Sequence, residues 1–437
     1  DVFENIITIP DSTLHSRRTF KDGTILKKDD FKNTERSLVY DLTPYDQTLL
    51  LDTDYIVSND IFKSCFVQPH DFLIYSGGIE VTGTKNTEEF NYITKTGPRF
   101  YWATAIFFRK TQKTNLLFEL TKSHQKIRAI YRTKKTVEKV KTVFGYYTNN
   151  IDEYFNRIEW LEADLEDLPK LETAFQGVTH VYHCAALISF DPNDYYKLRE
   201  TNVSGTANIV NLSIINTIQK LCYVSSIATM AYDTKEITEK TAWNSEDSKS
   251  VYAITKYEAE MEVWRGVQEG VPSVIVNPGV VLGPGFFRYG SGSLFNRVYK
   301  GLRYVTYGVA GYVGIVDVIS SMVLLMNSDC KNERYIIVSE NLSFLDLTTR
   351  ISNAFKLPPP KKIANKWMLA FAWRLDWLKH KLTGKKRRLT KNLSKTLINK
   401  SYYSSDKFLE SNTEFKFTPI STVVSEVCQV FSKEVSS

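Results

Sequence analysis

Ser248-Lys-Ser-Val-Tyr252-Ala-Ile-Thr-Lys256-Tyr-Glu-Ala-Glu260 is the stretch on which the reading of this 437-residue chain turns. From Tyr252 to Arg265 there is neither Pro nor Gly, and Ala, Glu, Met, Lys and Arg recur, which predicts a helix that Gly266 ends. Residues four apart on a helix share a face, so Tyr252 and Lys256 point to one side. A phenol titrates near pH ~10, and a neighbouring ammonium favours the phenolate. The pair therefore lowers the cost of exchanging a proton with a substrate oxygen at neutral pH. Tyr-x-x-x-Lys also occurs on plain solvated helices, so the weight of the reading comes from what flanks it.

Upstream, Leu221-Cys-Tyr-Val-Ser225-Ser226-Ile is an apolar run closing on two hydroxyls, the pattern of a buried parallel strand with Ser226 at its carboxyl end. Downstream, Val274-Ile-Val-Asn277-Pro278-Gly279-Val280-Val281 has the same form, punctuated by Pro and Gly. Ligands of open α/β sheets bind beyond the carboxyl ends of such strands. The order strand–Ser, helix–Tyr/Lys, strand–Asn-Pro-Gly resembles that of the extended short-chain dehydrogenase/reductases, the NAD-dependent epimerase/dehydratase superfamily. Within it, the dihydroflavonol-reductase and 3β-hydroxysteroid-dehydrogenase branch is the most similar.

Around this centre the chain alternates strands and helices from Lys113 onward. A helix is expected over Lys113–Lys122, strands over Lys126–Arg132, Ile158–Ala163 and Val178–His183, and helices over Leu168–Gln176 and Tyr195–Ile218. Glu333–Glu340 reads as a late strand. Alternation of these lengths predicts an α/β fold, a doubly wound parallel sheet of Rossmann type, with a smaller C-terminal substrate lobe. The expected divisions are an atypical segment at 1–110, a dinucleotide-binding domain at 111–285, and the substrate lobe at 286–437. At 43% hydrophobic residues the chain can bury a large core, and its net charge of +7 is mild. Basic residues crowd between Lys361 and Lys400, which suits an anionic substrate or a membrane surface but reads first as a solvated face.

The five cysteines (Cys65, Cys184, Cys222, Cys330, Cys428) are scattered and odd in number, which predicts reduced thiols, no metal site and a cytoplasmic location. No apolar run reaches the ~18 residues of a membrane span, and the N-terminus shows no signal peptide. The Trp367–Leu378 stretch, interrupted by Arg374 and Asp376, reads as an amphipathic helix covering a substrate pocket rather than an anchor. The expected partner is a small-molecule substrate, with no nucleic acid; a homodimer is compatible with the family.

The resemblance implies roles for particular residues. Tyr252 is the general acid/base, Lys256 lowers its pKa and bonds the nicotinamide ribose, and Ser226, with Ser225 as competitor, binds the substrate oxygen. Asn202 supports a proton relay behind Lys256; on its own it also reads as a locally bonded core Asn. Cys184, Ala185 and Ala186 lie under the cofactor, Asp164 and Leu165 at the adenine, and Pro278 and Val281 over the nicotinamide. Arg132 stands where NAD enzymes carry an acid, which favours NADP over NAD. The implied reaction is hydride transfer to or from a carbonyl or secondary alcohol. The alternatives are sugar-nucleotide epimerisation or dehydration, and a cofactor-deficient, non-enzymatic member of the family.

One element of the pattern is missing. The first strand should close in Gly-x-x-Gly-x-x-Gly before the Lys113 helix, yet no glycine lies between Arg99 and Lys122. Gly77, Gly78 and Gly83 come some thirty residues too early. Residues 1–110 are polar and irregular, and their apolar run ending in Asp52-Thr-Asp54 resembles a fragment of a glycosyltransferase metal edge, or a plain buried strand. The change of character near residue 112 points to an N-terminal third replaced by unrelated or frame-shifted sequence. Ile106, Phe107 and Phe108 would then supply a distorted first strand or leave its place unfilled.

Overall fold

The computed structural model describes residues 126–437 apart from 149, 231–235, 245, 246, 248, 385, 386, 388 and 437, together with the backbone of five strands before them. The chain forms two compact units, Asp1–Lys126 and Ile127–Ser437. In the first, β1 (Ser16–Asp22) and β2 (Ile25–Phe31) pair antiparallel. β3 (Gln47–Leu51) and β4 (Phe72–Ile74) flank β5 (Ala105–Arg109), again antiparallel. Ile106, Phe107 and Phe108 thus belong to an antiparallel sheet and supply no strand to the parallel one. The expected Lys113–Lys122 helix, the early glycines, Asp52 and Asp54 lie outside the described residues.

In the second unit β6 (Arg128–Tyr131) and β7 (Glu159–Glu162) pair parallel, with α1 (Lys134–Phe144) and α2 (Ile151–Phe155) between them. Arg128 binds Glu159 across the pair at 3.1 Å. α3 (Leu168–Phe175), capped by Asp167, leads into β8 (His180–His183). The long helix expected from Tyr195 is α4 (Tyr195–Arg199), a π-turn over Glu200–Ser204, and α5 (Gly205–Ile215). β9 (Lys220–Val224), α6 (Val251–Gln268) and β10 (Ser273–Pro278) follow, and β14 (Glu333–Ile337) completes a parallel sheet in the order β14-β10-β9-β8.

α6 starts where the sequence expects it, on the Ser250 hydroxyl, which accepts from the Ala253 amide. It does not stop at Gly266. That glycine lets α5 pack closely, because a Cβ there would sit 2.6 Å from Cγ1 of Val210. The turn comes later, at Gly270, whose φ of +97° suits glycine. Beneath α6, Ala259, Val263, Leu221, Tyr223 and Ile275 share one core with α3 and α5. Burial of each large aliphatic side chain there contributes about 1.5–3 kcal/mol.

The smaller lobe is built on β11 (Val280–Leu282), β13 (Val309–Gly314) and β15 (Glu340–Ser343). Around them lie α7 (Gly292–Tyr299), α8 (Ile315–Asn327), α9 (Phe344–Ala354) and, at the end of the chain, α13 (Ile420–Ser436). β12 (Tyr304–Val305) pairs with β16 (Lys362–Ile363), and α10 (Lys366–Thr383), α11 (Lys391–Thr396) and α12 (Asp406–Ser411) fill the segment before α13. The architecture is α/β and Rossmann-like, with parallel strands flanked by helices. Among the described residues no strand pairs with β8 on the side away from β9, or with β6 on the side away from β7.

Candidate active site

The carboxyl end of β9 places Ser226 as the cap of a 3₁₀ turn over Ile227–Thr229, where its Oγ accepts from the Ala228 amide at 3.2 Å. Tyr252, in the first turn of α6, lies beside Ser226, near enough for the serine to bear on its titration. Burial raises the Tyr252 phenol above its ordinary pKa, and Ser226 works against that rise. The Lys256 ammonium is turned inward, donating to Tyr223 Oη at 2.7 Å and to the Val224 carbonyl at 2.8 Å. Lys256 is 2% exposed, and burial pushes its own pKa down to about 7 although Glu260 pulls it up. An ammonium has three donors, so one remains for a ligand.

Ser225, the competing hydroxyl, is committed elsewhere. Its Oγ donates to Glu260 Oε2 at 2.5 Å. Thr229 and Asn277 bond the same oxygen at 3.2 and 3.0 Å, and Arg334 pairs with the other at 3.1 Å. Glu260 is fully buried one turn beyond Lys256, so this knot ties α6 to β9, β10 and β14. The structure leaves Ser226 as the serine beside Tyr252.

Asn202 sits in the π-turn, 1% exposed. Its side chain clamps Leu187, accepting from the amide at 2.7 Å and donating to the carbonyl at 3.1 Å, and donates to Thr255 at 3.2 Å. Its carbonyl accepts from Thr206 Oγ1 at 2.6 Å. The local core role thus occupies every group of Asn202; what it holds is the loop that leaves β8. That loop carries Phe190, whose ring meets Tyr252 edge-on at 5.8 Å. Residues 187–191 and Asp194, with Lys197, Arg387, Thr390 and Leu393, line a cavity of about 280 Å³, and Phe190 joins it to Tyr252. A larger cavity of about 730 Å³, between α1, α7 and α13, lies away from these residues.

The residues assigned to a dinucleotide divide into two groups. Cys184, Ala185 and Ala186 are exposed at the carboxyl end of β8, so small side chains leave backbone open to a ligand. Arg132, exposed, and Asp164, half-buried, face each other at 3.9 Å. With the spare Lys256 donor, this set fits the two ends of a dinucleotide. The Leu165 side chain is 6% exposed and packed in the core against Gly205, where a Cβ would approach to 2.9 Å, so only its backbone could meet a ligand. Pro278 is buried at the end of β10 and Val281 is half-buried on β11. Sequence reasoning missed Phe190, Tyr223 and Glu260. Glu260 carried a signal, since it repeats the four-residue step from Tyr252 to Lys256; Tyr223 showed only as another strand residue.

Residues 110–322 match the NAD-binding family model described as male sterility protein. A putative dihydroflavonol 4-reductase of Synechocystis sp. is 30% identical over 226 residues, which cover 49% of this chain and 65% of that protein. Cinnamoyl-CoA reductase 1 of Petunia hybrida is 27% identical over 226 residues, covering 48% and 66%. The chain spans a little under two thirds of the length of these curated relatives. The terminal R domain of the myxalamid PKS-NRPS pathway shares the fold, with a TM-score of 0.59 over 75% of this chain and 89% of that one at 19% identity. A parallel sheet wound in this order, an NAD-binding family model matched over residues 110–322 and similarity to reductases of one branch together support placing this part of the chain with the extended short-chain dehydrogenase/reductase superfamily.

Proposed function

We propose that this chain is an NADP(H)-dependent oxidoreductase acting on a carbonyl or secondary alcohol of a small molecule. The observation that carries the reading is the placing of Ser226 at the carboxyl end of β9 beside Tyr252, with Lys256 one turn further along α6. The nicotinamide, when bound, supplies or accepts the hydride. Ser226 orients the substrate oxygen, and Tyr252 gives that oxygen its phenolic proton during reduction. Lys256 supplies positive charge behind the phenolate and its third donor to the ribose. Cys184, Ala185 and Ala186 form the floor, Pro278 and Val281 the opposite face, and Arg132 and Asp164 the adenosine end. Arg132 favours the 2′-phosphate of NADP. The cavity at 187–191 and Asp194 takes the substrate, with Phe190 against the reacting group.

A second reading, a member that binds dinucleotide weakly, is favoured by the glycine turn missing from the sequence between Arg99 and Lys122. In an intact site, backbone amides and the positive end of the first helix hold the pyrophosphate.

Calorimetric titration with NADPH separates the two. It is run on the chain and on a version in which a Val-Thr-Gly-x-x-Gly-x-x-Gly strand and turn replace residues 101–113. Tight binding only by the second supports the weak-binding reading for the chain as it stands. In whichever form binds, Tyr252→Phe is expected to lower NADPH oxidation with aldehydes or ketones by about 10²-fold or more. Turnover retained above roughly a tenth removes Tyr252 from the acid role.

A further inference from the structure

Helix α10 leaves most of its apolar side chains in water. Trp367 is 85% exposed, Phe371 66%, Leu375 49%, Leu378 45% and Leu382 75%. Spaced four, four, three and four residues apart, they form one stripe along the helix. A stripe of this kind usually faces a core, but α10 is held to the fold by its other side. Leu369 is the helix's one buried residue, Asp376 accepts from the Leu389 amide at 3.0 Å, and His380 meets Asn193 at 3.5 Å.

Charge says what covers the stripe. Arg374, Lys379 and Lys381 border it, with Arg374 over the Trp373 ring at 4.5 Å and Lys381 over Trp377 at 5.5 Å. From Lys361 to Lys400 the sequence holds thirteen Lys and Arg against a single acid, Asp376. That segment carries +12 in a chain whose total is +7. Two copies meeting through this face would bring like charges together. A nucleic acid would satisfy the cations and leave the Trp, Phe and Leu side chains in water. An anionic bilayer accommodates both, since apolar side chains enter the acyl boundary while Lys and Arg meet the headgroups. No helix among the described residues is long and apolar enough to cross a membrane, so α10 lies on the surface rather than through it.

We propose that α10 docks this chain on anionic lipid bilayers, with Trp367, Phe371, Leu375, Leu378 and Leu382 inserted and the flanking cations on the headgroups. The segment that follows, through Arg387, Thr390 and Leu393, lines the cavity near Tyr252, so docking brings that cavity close to the lipid.

The test is co-sedimentation of the full chain with vesicles of phosphatidylcholine alone and of phosphatidylcholine mixed about two to one with phosphatidylserine. Binding to the mixed vesicles, weakened by salt and at least about tenfold weaker to the neutral ones, is expected. Phe371→Ser/Leu378→Ser should lower partitioning about tenfold or more without changing the thermal midpoint, since both side chains are exposed. Should that pair disturb folding, Trp367→Ser alone provides the same readout at a side chain 85% exposed. Equal binding to both vesicle types overturns the anionic requirement. Absence of binding together with dimerisation that the same variants abolish assigns the face to a second copy, and absence of both leaves a bare solvated helix; either result overturns the proposal.

Discussion

β9 and β10 have a hydrogen-bonded neighbour on each flank, and Leu221, Cys222, Tyr223, Val274, Ile275 and Val276 on them are fully buried. β6 and β8 have one paired flank each among the described residues, and there Ile130 is 36% and Tyr182 43% exposed. Parallel strands are stable when both faces are covered. The residues proposed for the chemistry, Ser226, Tyr252 and Lys256, stand on the sealed part of the sheet. The pair proposed for the adenosine end, Arg132 and Asp164, follows β6 and β7, the other part.

The largest effect expected from this difference comes from the knot that seals the first region. Arg334→Leu leaves Glu260 fully buried without its cation, and should cost about 3–5 kcal/mol in urea unfolding. A loss below about 1 kcal/mol would place the pair with ordinary surface salt bridges and break the contrast.

The two serines sharpen it further. Ser225→Ala removes a donor from the buried Glu260 carboxylate and should cost about 1–3 kcal/mol of stability. Ser226→Ala should spare stability and lower turnover about 10²-fold, the usual effect of losing one donor to a reacting oxygen. If Ser225→Ala instead spared stability and abolished turnover, the serine assignment would have to be reversed.

The elements that were legible in the sequence are those whose signal is local. The run of helix formers without Pro or Gly from Tyr252 to Arg265 located α6, and the apolar β-branched runs located β9 and β10. Gly266 misled because a glycine that ends a helix and one that lets two helices touch look alike until the partner, Val210, is known. The inward turn of the Leu165 side chain was not legible either, because proximity in sequence to Asp164 says nothing about which way a side chain turns. The inward turn of Lys256 depends on Tyr223, 33 positions away, and no spacing rule reaches that far. The antiparallel pairing of β5 was equally hidden, since its partners lie at residues 47–51 and 72–74.

Lys256 allows a finer test of how dry the sealed region is. Its folded pKa of about 7 lies below the ordinary value near ~10.4, so between these pH values the unfolded chain binds more protons. Its contribution to stability therefore grows as pH rises from 7 toward 10 and is lost as pH falls through 7. Relative to Lys256→Met, the wild-type chain should gain up to about 1.4 kcal/mol per pH unit across that window. Parallel stability curves for the two proteins would show an ammonium that stays charged in the fold, held by Tyr223 and Val224.

The smallest effect belongs to the part that holds β6 and β7, and it concerns preference more than stability. Arg132 is exposed and sits 3.9 Å from Asp164, a surface pair worth about 0.2–1 kcal/mol, so Arg132→Asp should fold as the parent does. What changes is the charge offered to the adenosine ribose. A guanidinium accommodates a 2′-phosphate, whereas a carboxylate repels it and accepts a bond from a 2′-hydroxyl. With the partner half in water, the loss should stay near the low end for a charge-assisted bond, about fivefold to tenfold in favour of NAD(H). The measurement is the ratio of NADPH to NADH dissociation constants, taken by calorimetry in the version that carries the glycine turn. A ratio unmoved by the substitution would mean that Arg132 pairs with Asp164 and never reaches the ribose, leaving cofactor choice to residues of the first unit.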